Sequence, residues 1–361
     1  ETDAQRSLQI DSILLRAGVA DIKDADRVRA ARSAYGTDTL LDMAKRSLTK
    51  DGVNIQGLSK HEIVTRAISS HTSDFPVLLE GANRTILLKA YQEVADTWRR
   101  FCTTGSVSDF REWKRLKMGT LSNLETVLEG GEFKTKKITD GESEKISAKT
   151  KGNIINVSRQ MIINDDLNAF TRLTQMMGRA AARSIETDVY ALLASNPTMG
   201  DGIALFHADH NNIAAVAAAP SVVSVDKIKQ LMAAQKDKDG NDWLDIRPSI
   251  ALCPVSLESQ FKLVNNSTYD PDVSNKFQLT NVAAGTFSDI VSSPRLSGTP
   301  WYAFANPSIE PVIEVAFLDG QQEPFMESRQ GFEVDGMEWK VRLDYGVAAI
   351  GWRGAAKNAG V

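Results

Sequence analysis

The sequence predicts an α+β protein, and three observations carry that reading. In residues 322–354, Val334, Met337, Trp339, Val341, Leu343, Tyr345 and Val347 fall at near-alternate positions with Glu338, Lys340, Arg342 and Asp344 between them. That is the period of strands with one buried face, and the Asp335-Gly336 pair predicts a hairpin turn. Between Leu167 and Leu192 the apolar residues recur instead at three- and four-residue spacing, the stripe of a long amphipathic helix. From about Ser221 to Leu318, strand patterns such as Ile250 to Cys253 and Val312 to Phe317 alternate with helical ones near Val225 to Ala234 and Leu257 to Val264.

Residues 1 to about 72 read as short helices. Leu8, Ile10, Ile13, Leu14 and Leu15 cluster in one amphipathic segment, and Val28 to Met43 forms another with Arg27, Arg29, Arg32, Lys45 and Arg46 on its polar side. Such helices bury little surface alone, so weak mutual packing and partners elsewhere are expected; a small separate helical domain is the alternative. A further helical pattern runs from Leu78 to Trp98, and Arg111 to Met118 resembles a strand. The charged stretch that follows, EGGEFKTKKITDGESEKISAKTKGN, places Phe133 and Ile138 before a Thr139-Asp140-Gly141-Glu142 turn and Ile146 after it. This predicts a two-stranded hairpin too polar on both faces to own a core; the alternative is a mobile surface hairpin.

Ile154, Ile155, Val157, Met161 and Ile162 restore strand character. Asn164 is expected to cap the long helix, with Asp165 and Asp166 in its first turn where the dipole favours negative charge. Asn196-Pro197 ends it after about nine turns.

Composition is that of an ordinary globular chain. The 361 residues, 42% of them hydrophobic, allow one large or two ordinary domains with a real core. Cys102 and Cys253 sit far apart in apolar settings and read as buried free thiols in a cytosolic product. No apolar run approaches the roughly 20 residues of a bilayer span, and the start carries no basic-then-apolar signal. A formal charge of −4 argues against a dedicated nucleic-acid binder.

Little in the sequence points to catalysis. His207, Asp209 and His210 are the cluster that most resembles a ligand set, but a divalent site needs a further ligand. Their expected role is local, hydrogen-bonding backbone groups where the chain leaves the long helix. Asp237 to Asp242 looks like a calcium loop until its glycine is counted at the fourth position and Pro248 at the twelfth, so a turn is expected. No Gly-x-Ser-x-Gly elbow, Walker loop or dinucleotide fingerprint occurs, and neither cysteine has a nearby basic partner in sequence. The chain is read as not an enzyme, with no cofactor and no metal.

Three blocks in order carry a family resemblance. The 322–354 stretch closing on Trp352-Arg353-Gly354, the segment Leu205 to Asn212 with the helix, turn, strand and helix pattern of 224–264, and Ser73-Asp74-Phe75-Pro76 resemble the Mu-like phage major head subunit family. The resemblance implies the Hong Kong 97-like phage capsid fold. It would divide the chain into an N-terminal helical arm (1–75), an extended loop hairpin (119–152), an axial domain (219–321), and a peripheral domain built from 76–118, 153–218 with the long spine helix, and 322–361. It implies the structural major capsid protein of a tailed double-stranded DNA bacteriophage, assembled in the host bacterial cytoplasm and located in the virion. Its partners would be copies of itself, as pentamers and hexamers of an icosahedral head, with DNA held by enclosure, portal and decoration proteins as further partners, and no membrane. Inter-subunit contacts are expected at Leu8, Ile13 and Leu14 in the arm and at Phe133, Lys134, Lys136, Lys137 and Ile138 in the loop. Some distant relatives crosslink a loop lysine to an asparagine, but no matching asparagine or glutamate aligns here. The start at Glu1 fits either a maturation cleavage or a shortened sequence. The alternative with the same fold is an encapsulin-like compartment holding protein cargo.

Overall fold

A computed structural model describes residues 2–19, 24–69, 74–117, 142–238, 240, 242–271, 279–330 and 336–361. Among these, the helices are α1 (Thr2–Arg16), α2 (Ala25–Tyr35), α3 (Leu40–Lys50), α4 (Lys60–Ser69), α5 (Phe75–Gln92), α6 (Arg159–Ile163), α7 (Leu167–Ser195), α8 (Val222–Ala233) and α9 (Glu258–Asn266). The strands are β1 (Thr103–Val107), β2 (Trp113–Lys117), β3 (Glu142–Ile146), β4 (Lys149–Ser158), β5 (Ile250–Cys253), β6 (Asp289–Ser292), β7 (Trp301–Phe304), β8 (Ile313–Leu318), β9 (Phe325–Gln330), β10 (Gly336–Ala349) and β11 (Ala355–Asn358). No described helix is long and apolar enough to cross a membrane. Two compact units are formed, the first from Glu1–Ala95, Thr150–Ser184 and Gln321–Asp344, the second from Asp96–Lys149, Ile185–Gly320 and Tyr345–Val361.

In the first unit, local signals start the short helices. Asp24 caps α2 by accepting the Asp26 and Arg27 N–H groups, and Thr39 and Asp42 form a capping box on α3. Ser59 and Glu62 exchange the same pair of bonds ahead of α4. Pro76 occupies the first turn of α5, where its missing N–H costs no helical bond.

These helices do not wait for outside partners, which corrects the expectation of weak mutual packing. Ile13 is 0% and Leu14 4% exposed, and both join Met43, Val64, Phe75, Phe170 and Trp339 in one core. The physical reason is additive: each short helix has a narrow apolar stripe, and the stripes of α1, α3, α4 and α5 meet over Trp339, whose indole stands edge-on to Phe170 at 5.2 Å. A fully buried aliphatic side chain contributes about 1.5–3 kcal/mol, so this burial holds the segment within its own unit. Ile13 and Leu14 are therefore removed from the expected contact set. Leu8 is half-buried on α1.

The start of the long helix also differs from expectation. Asn164 closes the short α6, its N–H donating to Gln160 and Ile162, so Met161 and Ile162 are helical and not strand. Asp166 supplies the cap of α7 by accepting the Ala169 N–H at 3.0 Å. Asp165 between them takes a left-handed φ of 53° because its carboxylate is held elsewhere. It accepts the Leu40 N–H at 2.8 Å and pairs with Arg16, tying α1 and α3 to the α6–α7 corner.

The 322–354 alternation is present in β10, with Met337, Trp339, Val341, Leu343 and Tyr345 buried. The turn is placed differently. Met337 pairs with Gln330 and Arg342 with Phe325, so Gly336 is the first residue of β10 and not a turn residue. A Cβ at Gly336 would lie 2.0 Å from the Val157 carbonyl oxygen, so glycine is required there by the close approach of β4. Val334 and Asp335 lie outside the described residues.

The second unit carries the mixed α+β part. β1 pairs parallel to β8, and β8 pairs antiparallel to the end of β10. A second sheet runs in the order β11-β7-β5-β6. Phe101 lies between Tyr190 and Phe304, and Phe261 meets Trp301 edge-on at 5.1 Å under α8 and α9. The predicted strands and helices of 221–318 stand within three residues of their expected ends. Cys102 and Cys253 are both buried free thiols; burial holds Cys102 well above its ordinary value and pushes Cys253 up to about 12.

Candidate assembly site at the root of the loop

β2 and β3 form an antiparallel ladder that leads out to, and back from, residues 118–141, all within the second unit. The expected partner of Glu142–Ile146 was the Phe133 to Ile138 stretch across a tight turn; the observed partner is Trp113–Lys117. In the register Arg115 stands opposite Glu144, Lys117 opposite Glu142 and Lys114 opposite Lys145, while the exposed Trp113 pairs with the buried Ile146. Phe133, Lys134, Lys136, Lys137 and Ile138 lie outside the described residues.

The ladder is polar, yet one face of it is firmly held. Arg115 reaches Glu314 with three bonds of 2.6–3.0 Å, and Glu314 is 4% exposed. Gly105 on β1 makes room, since a Cβ there would lie 1.8 Å from a Glu314 carboxylate oxygen. Lys117 pairs with Glu310 at 2.5 Å. Glu142 receives Arg353 in a two-pronged pair at 2.5 and 2.7 Å, and the same guanidinium donates to the Lys236 carbonyl. Glu144 accepts the Gly200 N–H at 2.9 and 3.0 Å.

The two glutamates sit in opposite electrostatic settings. The Arg353 guanidinium hydrogen-bonded to Glu142 holds its carboxyl below the usual carboxylate range despite partial burial. Burial pushes Glu144 up, the Gly200 N–H offsets this only in part, and the nearby Asp201 and Glu142 charges push the same way as burial. Arg115 is held above its ordinary value by its bonds to Glu314.

The loop that meets Glu144 is built by the segment after α7. Asn196, at φ 47°, ends the helix and exchanges two bonds with the Phe206 backbone at 2.8 and 3.0 Å. Asn212 accepts the His207 N–H and donates to the Leu205 carbonyl. Gly200 can approach β3 because it lacks a Cβ, which would lie 2.6 Å from the Ser143 carbonyl oxygen. His210, 2% exposed, stacks on Trp352 at 4.2 Å with both ring nitrogens engaged, one at Asp201 (2.8 Å) and one at the Leu205 carbonyl (3.2 Å). His207 is exposed and accepts the Asp209 N–H, and among the described residues no group of three or more His, Cys, Asp or Glu is placed to hold a metal. The local structural role expected for these residues is the one His210 and His207 have.

Sequence reasoning missed Arg115, Lys117, Glu142, Glu144, Glu310, Glu314 and Arg353. One signal was available: Glu314 is the lone charge in the otherwise apolar strand IEVAFL, and a buried acid requires a cation. The chemistry of the arrangement is mechanical. Breaking one partner of a buried pair costs about 3–5 kcal/mol, so the brace fixes where the chain leaves and re-enters the body.

No match is found among curated proteins. Among solved structures, one from Microbacterium phage Oxtober96 is similar at 10% identity with a TM-score of 0.50, covering 74% of this chain and 91% of that one. The procapsid of bacteriophage JBD30 gives 17% identity, 78% and 75% coverage and a TM-score of 0.41. A virus-like particle from Pyrococcus furiosus gives 12%, 76% and 96%, and 0.45. The fold is the Hong Kong 97-like α+β capsid fold. Residues 141–358, from the return strand of the braced ladder to the last strand of the chain, match the family model described as phage capsid protein, and the protein belongs to that family.

Proposed function

We propose that the chain is the major capsid protein of a tailed double-stranded DNA phage of the Mu-like head-subunit kind, assembling into an icosahedral head as pentamers and hexamers. The observation that carries this is the family match over residues 141–358. Assembly works through many modest contacts. Apolar area buried at roughly 25 cal/mol per Å², repeated over several neighbours, stabilises a closed shell, and heterologous contacts close into rings. The genome is held by enclosure, with portal and decoration proteins as additional partners, in a virion assembled in the host cytoplasm.

In this reading residues 118–141 lie over a neighbouring copy, with Phe133, Lys134, Lys136, Lys137 and Ile138 in the contact and Leu8 contributing from α1. The brace at Arg115, Lys117, Glu142 and Glu144 supports it by fixing the two strands that flank those residues. The test is deletion of 119–141 with a short linker, which spares β3; removing residues 132–145 would also strip the brace. Folded subunits that form no shells are expected. Shell yield equal to that of the full chain refutes the loop's role. Nucleic acid inside purified shells supports the phage reading, whereas a protein cargo with no nucleic acid replaces it with the encapsulin-like one.

A further inference from the structure

His210 is the one buried histidine among the described residues, and both of its ring nitrogens face oxygen atoms. Nε2 lies 2.8 Å from an Asp201 carboxylate oxygen and Nδ1 3.2 Å from the Leu205 carbonyl. Asp201 is ionised: partial burial pushes its carboxyl up, but the Ile203 N–H and His210 hold it below the usual carboxylate range. Both partners therefore only accept, and a neutral imidazole, which has a single N–H, would turn a lone pair on one of them. The stacking favours charge as well. The ring lies 4.2 Å from the Trp352 indole and 4° from parallel to it, and the electron-rich face of an indole attracts a cation. The backbone that carries the ring is fixed, since Gln235 donates to the His210 and Asn211 carbonyls at 3.1 and 3.0 Å.

We infer that His210 is a buried imidazolium and that its second proton latches the loop of residues 197–212 to the Trp352-Arg353 corner beside the root of β3, a latch that rising pH opens. The other charges around it are accounted for. Arg353, whose guanidinium lies 4.2 Å from the Trp352 ring, is matched by Glu142, and Lys236 places its ammonium over Trp243. His207 and Asp209 are exposed and lie against each other, and Glu144 accepts the Gly200 N–H. Among the described residues His210 is the one basic side chain paired with Asp201. The sign follows from the bonds: the latch is closed while the ring holds both protons, and it loses one bond when the second proton leaves as pH rises. The Asp201 side chain is 39% exposed, which gives that proton a way out. The effect reaches β3 because Gly200, the residue before Asp201, is the one that Glu144 holds.

The test follows the ring nitrogens of the full chain by nuclear magnetic resonance with isotopically labelled histidine, from about pH 5 to 8, which reads how many hydrogens each ring carries. The His210 signals are those absent from a His210→Gln variant; where that variant misfolds, the ring signal displaced in Asp201→Ser identifies them. Hydrogen exchange of the Met199, Gly200, Ile203 and Leu205 amides, corrected for the intrinsic effect of pH, reads the latch. His210 should carry two hydrogens in the parent, and at the midpoint of the parent's titration the doubly protonated fraction should be lower in Asp201→Ser, whose hydroxyl can still accept the Ile203 N–H. Protection of the four amides should fall about 3- to 10-fold, the scale of a partly exposed ion pair, over the pH step in which the second hydrogen leaves. Asp201→Ser should lack that step. A ring with one hydrogen throughout, an equal fraction in Asp201→Ser, or protection indifferent to the loss of the second hydrogen overturns the inference. So does a step that survives in Asp201→Ser, which would assign it to Glu144.

Discussion

Glu142 and Glu144 are two residues apart on one strand, and replacing each with glutamine should act in opposite directions. Arg353 is 8% exposed at its side chain and Glu142 26%, and Arg353 has the Lys236 carbonyl as its other acceptor. Glu142→Gln leaves that buried cation without a charged partner. Hydrogen bonds to charged groups contribute about 1.5–3 kcal/mol, and loss of a buried partner costs 3–5; with Glu142 a quarter exposed, about 2–3 kcal/mol is expected. Glu144 is instead held ionised against burial, so Glu144→Gln, which can still accept the Gly200 N–H, should be neutral or stabilising by up to about 1 kcal/mol.

The pH dependence separates them further. Glu142 has a depressed folded value, so its stabilisation is present above the ordinary carboxylate range and is lost as pH falls through the folded value. Glu144 has a raised folded value, so its cost is absent below the ordinary range and grows as pH rises through the folded value. Hydrogen exchange of the β2 and β3 amides at neutral pH reads both. Glu142→Gln should speed local exchange about 30- to 150-fold, at tenfold per 1.4 kcal/mol, and Glu144→Gln should not speed it. Equal acceleration by the two variants, or none by Glu142→Gln, refutes the electrostatic account of the root.

Ile13→Ala should lower the stability of the isolated subunit by about 2–5 kcal/mol, measured by urea unfolding; an unchanged midpoint would return Ile13 to a surface contact. Gly336→Ala should destabilise the first unit, because its Cβ would meet the Val157 oxygen at 2.0 Å, and a thermal melt equal to that of the parent would contradict the close approach of β4. Cys102 and Cys253 should resist a thiol reagent at neutral pH in the native protein and both react in denaturant; fast native labelling of either would contradict their burial.

Much of the fold was legible because its signals are local. The α7 stripe needs only its own 3.6-residue period, β10 only its alternation, and Asn196-Pro197 only its own stereochemistry. The packing of α1, α3 and α4 was not legible, since a short apolar stripe shows that a face is buried but not against what. The turn before β10 was misplaced because Asp335-Gly336 has the chemistry of a hairpin turn, whereas Gly336 is demanded by a contact with Val157, far away in sequence. The root of the loop was missed for a related reason. Trp113–Lys117 and Glu142–Ile146 read singly as charged and solvated, and their partners at Glu310, Glu314 and Arg353 become visible only when distant strands are brought together.

The most direct test of the account is cryo electron microscopy of the full chain under assembly-permitting salt. The account predicts closed shells in which residues 118–141 of each copy rest on a neighbour while β2 and β3 stay paired at their root. A persistent monodisperse monomer or dimer would contradict it.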